Sequence, residues 1–262
     1  MNVIRIWAIV LRHLYPYRFN LSRLSELVVW PFFEMLLFGF FGIFFASASA
    51  FGSIVAIFLG AVLLWQIFFR IQQGISVSFL MELWSRNLTN IFVSPISVAE
   101  YLTGLMIVGL FKIAIVGVLM WVFALLLYHI NVLSIGLALV PLTVALILFG
   151  WAIGTVVLGI VLRFGQGAES IAWAAAFFLQ PFGAIFYPVS IYPEWLQEII
   201  KWLPLPHIFE ALRSVFAGQG LPRSQLVWAY GLDAAYLLAA FFFFGYMFEQ
   251  AREKGYLLKA QD

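Results

Sequence analysis

Glu34 and Lys112 stand inside long apolar runs. A charge there is costly unless it faces a bundle interior or meets a partner. Counting about 1.5 Å per residue from the run ends puts both very roughly 10–15 Å deep. They can pair with each other between the first and third runs, or touch a polar or anionic group of a ligand. Either use is electrostatic rather than catalytic. His13, His129 and His207 are scattered, and carboxylates inside apolar runs are scarce. An enzyme acting on lipid-linked substrates therefore lacks the clustered acid, base or nucleophile that it needs. There is no cysteine, which excludes disulfides, thiol catalysis and cysteine-held metal. Lys112, Lys201, Lys254 and Lys259 all lie outside any G-x-x-x-x-G-K-[ST] phosphate loop. The chain is expected to bind no ATP, metal or nucleic acid itself.

Polar side chains gather instead in residues 81–97, MELWSRNLTNIFVSPIS. Leu83, Leu88 and Ile91 can share one helical face, while Glu82, Arg86, Asn87 and Asn90 supply polar positions. Pro95 stops that helix; Ser97 caps the next, with Glu100 at its third position. A short amphipathic helix between two long spans, over about 82–90, is a lever that a soluble partner can push. A solvated turn that only reverses the chain is the alternative.

The elements that position these groups are membrane spans. Of the 262 residues, 65% are apolar and 10% charged, against about 25% charge in a soluble domain; the mean hydropathy is +1.04. Runs of about 20 apolar residues are long enough to cross a bilayer. The pattern gives an all-α integral membrane domain over 1–262 with six spans, near 26–46, 53–74, 98–128, 136–162, 170–190 and 226–248. Ser47, Ser49, Gly52 and Ser53 mark the first loop. Arg5, Arg12, Arg18, Arg23, Arg70, Arg86, Arg163, Arg252, Lys254 and Lys259 fall on one side; Lys201, Arg213 and Arg223 fall on the other. That bias places both termini in the cytoplasm of an inner or plasma membrane. No cleavage site follows an apolar core near the start, so no cleaved leader is expected. Within residues 1–24, Ile4, Trp7, Leu11 and Leu14 recur at helical spacing beside Arg5 and Arg12, as in a helix lying in the interface.

Gly150 and Gly154 are spaced for close packing inside the bundle. Pro31 and Pro181 are expected to kink their spans. After a Tyr-Pro pair at 187–188, residues 193–217 read as two short helices, Pro193 to Leu203 and Leu205 to Ala217. Trp195 and Trp202 are apolar, Glu210 and Arg213 three apart, and His207 stands at the start of the second. Neither helix is long enough to cross.

In this order, the basic leader, WPFFEMLLFG, RNLTNIFVSPIS, AEYLTG and YPVSIYPEWLQEIIKWLPLPHIFEALR resemble the membrane subunit of ABC-2 type ABC exporters. The resemblance spans nearly the whole chain. It implies a half-transporter that forms a homodimer, with two ATPase subunits carrying ATP and Mg docked beneath. Residues Glu82, Leu83, Trp84, Arg86, Asn87 and Leu88 map onto its coupling helix. The two short helices map onto outer re-entrant helices, with Pro193, Trp195, Trp202, His207, Glu210 and Arg213 as a gate. In that family spans one, two and five line the pathway. That assigns to it Glu34, Phe38, Phe41, Trp65, Phe69, Phe178, Phe182, Phe186 and Tyr187, whose rings suit sugars or acyl chains. WPFFEM and FYPVS are similar to glycan exporters and favour a lipid-linked polysaccharide or lipid as cargo over a hydrophobic drug. A scaffold with no cargo is the remaining alternative.

Overall fold

The computed structural model describes residues 1–46 and 51–253. The loop markers Ser47 and Ser49, and the basic Lys254 and Lys259, lie outside the described residues. The described chain is all helical: α1 Val3–Phe19, α2 Leu21–Phe45, α3 Phe51–Trp84, α4 Leu88–Val93, α5 Val98–Tyr128, α6 Leu139–Phe164, α7 Glu169–Leu179, α8 Glu194–Ile200, α9 Pro204–Phe216 and α10 Arg223–Glu253. The starts of α1, α2 and α5 carry side-chain caps. Asn2 accepts from the Ile4 N–H at 2.9 Å. Ser97 and Glu100 form the expected capping box on α5, which satisfies two otherwise open N–H groups.

The central helix is α3, packed against α2, α5, α6, α7 and α9. Its 34 residues measure about 51 Å, so it outruns the hydrocarbon layer. The second span therefore extends ten residues past its expected end at 74. Arg70, expected beside a loop, is only 2% exposed inside it. Glycine permits the tightest approaches. A Cβ on Gly74 would sit 2.6 Å from the Gly109 Cα, one on Gly150 2.6 Å from Ile71 Cγ2, and one on Gly154 3.1 Å from Ile75 Cβ. Gly150 and Gly154 thus seat α6 on α3 within the bundle, as their spacing predicts.

Among the described residues, five stretches are long and apolar enough to cross a membrane: Arg23–Phe45, Ile54–Trp84, Val98–Tyr128, Gly136–Phe182 and Arg223–Glu253. The fourth joins α6 to α7 through a bend at Gly165, whose φ is +63°. On its own α7 has 11 residues, about 17 Å. It ends in a 3-10 turn at Gln180–Phe182, earlier than the expected end near 190. Pro181 terminates the helix rather than kinking it, because proline offers no N–H to continue the ladder.

Side-chain contacts show how the chain returns. The Tyr230 hydroxyl donates to the Pro141 carbonyl at 2.8 Å, and Arg163 meets Met247 Sδ at 3.8 Å. Early α10 is thus beside early α6, and late α10 beside late α6, so the two run parallel. The chain between them must traverse the bundle once more, and it does so as α7 followed by the broken run to α8 and α9. The bundle has a basal end, with α1, α4 and the start of α5, and a distal end, with α8, α9 and the start of α10.

Helix α1 packs lengthwise along the first half of α5. Asn2 N–H donates to Glu100 at 2.6 Å, Ile9 fills the notch over Gly104, and Trp7 meets Phe111 edge-on at 6.0 Å. Ile9, Val10 and His13 are buried against the bundle. The stripe of Ile4, Trp7 and Leu11 is the exposed one, so this helix carries two apolar faces.

Candidate functional site

The expected lever residues do not form one helix. Glu82, Leu83 and Trp84 are the last turn of α3; Arg86 turns the chain with φ +53°; Asn87 and Leu88 open α4. The polar positions also differ in kind. Glu82, expected on an outer face, is 3% exposed. It accepts from Arg12 Nε at 2.6 Å and Arg12 Nη2 at 2.9 Å and from Asn87 Nδ2 at 2.9 Å. His13 Nε2 lies 3.5 Å away. Glu82 is thus a joint that fastens α1 and α4 onto the base of α3. Leu83 and Leu88 are buried beneath it, and Trp84, Ser85, Arg86 and Asn90 face outward. Burial lowers the His13 pKa to about 4, the Glu82 carboxylate opposing only part of that shift. The hydrogen bonds that Arg12 donates to Glu82 raise the pKa of Arg12.

A second locus lies between α2, α3 and α7. Glu26, Trp30, Glu34, Phe69, Arg70, Gln73, Trp173 and Phe177 line a groove of about 330 Å³. Each helix contributes one stripe: 26, 30 and 34 on α2, and 173 and 177 on α7, are spaced by four. Arg70 approaches Glu26 Oε1 at 3.6 Å, donates to the Glu26 carbonyl at 3.2 Å and to Gln73 Oε1 at 3.3 Å. Its guanidinium lies 5.5 Å from the centre of the Phe69 ring. Glu34 accepts from the Gln66 amide, not from Lys112, which is buried over the Tyr17 ring at 5.6 Å. The expected Glu34–Lys112 pair does not form, because each finds a nearer partner on another element.

The remaining pathway candidates separate. Phe38 stacks on Phe186 at 4.0 Å and contacts Phe41 at 5.9 Å, forming a distal aromatic stack. Phe178 and Phe182 line a distal cavity of about 630 Å³ with Trp202 and Tyr236. Tyr187 belongs to the distal turn, 5.2 Å from Tyr192. Trp65 is 1% exposed in the core and lines none of these spaces.

Distally, α8 and α9 fall where the sequence puts two short helices. Glu210 accepts from the Val189 N–H at 2.7 Å and pairs with Arg213 at 3.0 Å; Arg213 also donates to the Ile185 carbonyl at 3.3 Å. The Tyr192 hydroxyl donates to the Pro181 carbonyl at 2.7 Å and accepts from the Ala184 N–H at 3.1 Å. His207 stands within hydrogen-bond reach of Gln225 at 2.6 Å and of the Lys201 carbonyl at 2.8 Å, with Trp228 stacked on it. It therefore joins α8, α9 and α10. Pro193 opens α8, whose Trp195 is exposed.

This order of basal joint, long central bundle and distal short helices fits one known description. The ABC-2 type transporter family matches residues 5–217. The chain belongs to the ABC-2 type transporter family. It is a multi-pass membrane protein and a transport permease, and permeases of this family work with ABC ATPase subunits. No curated protein matches the chain. The match runs from α1 through α9 and stops before α10.

The sequence reading missed several groups of this ABC-2 permease. Arg12 and His13 complete the basal joint; Glu26, Trp30, Arg70, Gln73 and Trp173 complete the groove. The i, i+4 spacing on α2 and α7 was a usable signal for the groove. Asp233 was also missed. It is fully buried in α10, and neither carboxylate oxygen has a hydrogen-bond partner among the described residues.

Proposed function

We propose that this chain is the permease subunit of an ATP-driven exporter that moves an amphipathic substrate outward. Two copies form the pathway, and two separate ATPase subunits, holding ATP and Mg, dock at the basal end. The arginine distribution supports a cytoplasmic basal end, with both termini there, in an inner membrane of bacterial type. The observation that carries this reading is the joint at Glu82. A push on the exposed turn at Ser85–Arg86 reaches α1, α3 and α5 together, since Glu82 holds Arg12 and Asn87 and Glu100 holds Asn2. One local force thereby becomes a movement of two long spans.

The cargo is a lipid-linked polysaccharide or lipid, in keeping with the apolar distal cavity. A hydrophobic drug is the second reading, favoured by the groove's two carboxylates against one guanidinium. Arg86→Glu tests the coupling. Arg86 is exposed and makes no side-chain hydrogen bond among those described, so the fold is expected to stand. In vesicles carrying both subunits, the variant is expected to lose ATPase docking, or to hydrolyse ATP without transport. Normal assembly with wild-type transport would remove residues 82–90 as the lever.

A further inference from the structure

We propose that the groove between α2, α3 and α7 binds the polar head of an amphiphile, and that this head is an organic cation such as an ammonium group. The proposal rests on the export reading only for placing the groove on the pathway; the binding chemistry stands on the groove itself. The space of about 330 Å³ suits a head group rather than a whole glycan or lipid. Trp30, Trp173, Phe69 and Phe177 wall it, and Trp30 and Phe177 expose 63% and 50% of their surface. Ring faces of this kind attract cations electrostatically, and Phe69 already carries one, the Arg70 guanidinium.

The charges decide which head fits. The lining residues hold Glu26 and Glu34 against Arg70 alone. Arg70 is engaged by Glu26 and Gln73. Glu34 meets the neutral Gln66 amide, and the positive charge that acts on it is that of Arg70, which Glu26 shares, so two carboxylates divide one cation at a depth where charges seek partners. Lys112 is turned away to Tyr17. A phosphate head would face two carboxylates. A neutral sugar would stack on the rings but leave the Glu34 charge unmatched. A cation answers both the rings and the carboxylate, and an apolar body can extend toward the exposed Trp30 and Phe177 faces.

Two sources share this chemistry, a lipid headgroup amine and a lipophilic amine arriving from solution. The experiment uses the full chain without ATPase, in discs of phosphatidylglycerol, which carries no amine. Radiolabelled dodecyltrimethylammonium is the probe, with dodecyl maltoside and dodecyl phosphate as competitors of equal chain length. Glu34→Gln is expected to weaken probe binding about tenfold, and Glu34→Asp to keep most of it, the size of one unit of differential charge interaction. Trp30→Leu, at a side chain that is largely exposed, is expected to weaken it severalfold and guards against misfolding of the Glu34 variants. Competition by added phosphatidylethanolamine assigns the lipid source; its absence assigns the soluble amine. Equal displacement by dodecyl maltoside, or unchanged binding in Glu34→Gln and Trp30→Leu, overturns the proposal. Because no transport is measured, probe binding that survives a failed export assay sinks the export reading alone.

Discussion

His13 shows how one buried residue can set a pH limit on the basal joint. It is 6% exposed, faces Glu82, and has Arg12, Arg23 and Lys112 near enough to oppose its protonation. Its folded pKa of about 4 lies below its ordinary 6.5. Between those values the unfolded chain holds a proton that the folded chain refuses. Stability is therefore full above pH 6.5, falls as pH drops, and stops falling near pH 4. The loss amounts to about 3 kcal/mol at most. Thermal unfolding of the purified protein should show a steeper decline from pH 7 to pH 5 in the wild type than in His13→Gln. Parallel declines would mean that His13 is not the responsible group. Little of this joint was legible in sequence. Glu82 sits in a polar loop segment, which ordinarily means a solvated face, and its partners on α1, Arg12 and His13, lie about 70 residues upstream, where spacing rules carry no information. The same limit hid Arg70, since an arginine at the end of an apolar run reads as a loop marker until Glu26 is found opposite.

Among the elements, α3 governs packing, and two glycines test how tightly. A methyl group at Gly74 would meet the Gly109 backbone at 2.6 Å. Backbone cannot swing aside like a flexible side chain, so Gly74→Ala must separate α3 from α5. Overpacking of this kind costs about 1–3 kcal/mol. Gly117, on α5, has nothing within 4 Å of its added Cβ. Gly117→Ala is expected to be neutral, or to stabilise by up to about 1 kcal/mol through helix propensity. Melting temperatures should therefore move in opposite directions, or only the first should move; similar losses in both would argue against backbone contact as the cause. The helices themselves were largely legible. Ser97 and Glu100 announced the start of α5, Pro193 the start of the first short distal helix, and Pro204 its separation from the second. The span at 170–190 was misread in its limits because continuous apolarity hides a break. Residues 177–187, Gln180 apart, stay free of polar side chains through Pro181 and Gly183 until Tyr187, so hydropathy cannot distinguish a helix from the turn that follows it.

At the scale of the molecule, the basal joint and the distal cap are separated by the length of the bundle, and only the long helices connect them. Helices α6 and α10 are parallel, so α7 and the broken run after it complete a traverse that no single helix makes. A traverse built of short pieces can change shape without unwinding α3, α5 or α6. Its pieces are fastened by a few bonds, those at Glu210 among them: one carboxylate holds the Val189 N–H and Arg213, and Arg213 holds the Ile185 carbonyl. Glu210→Ala should free the 183–192 segment and leave Arg213 without its carboxylate. The pair is partly exposed, so the loss of stability should be only about 1–2 kcal/mol. Hydrogen exchange should rise in 183–192 and stay unchanged in α3 and α6. If the cap closes the exit of the export pathway, vesicles with this variant and its ATPase should leak or export poorly while ATP hydrolysis continues. Faster exchange with tight vesicles and normal export would leave Glu210 as a structural fastener and remove the gate from the distal end.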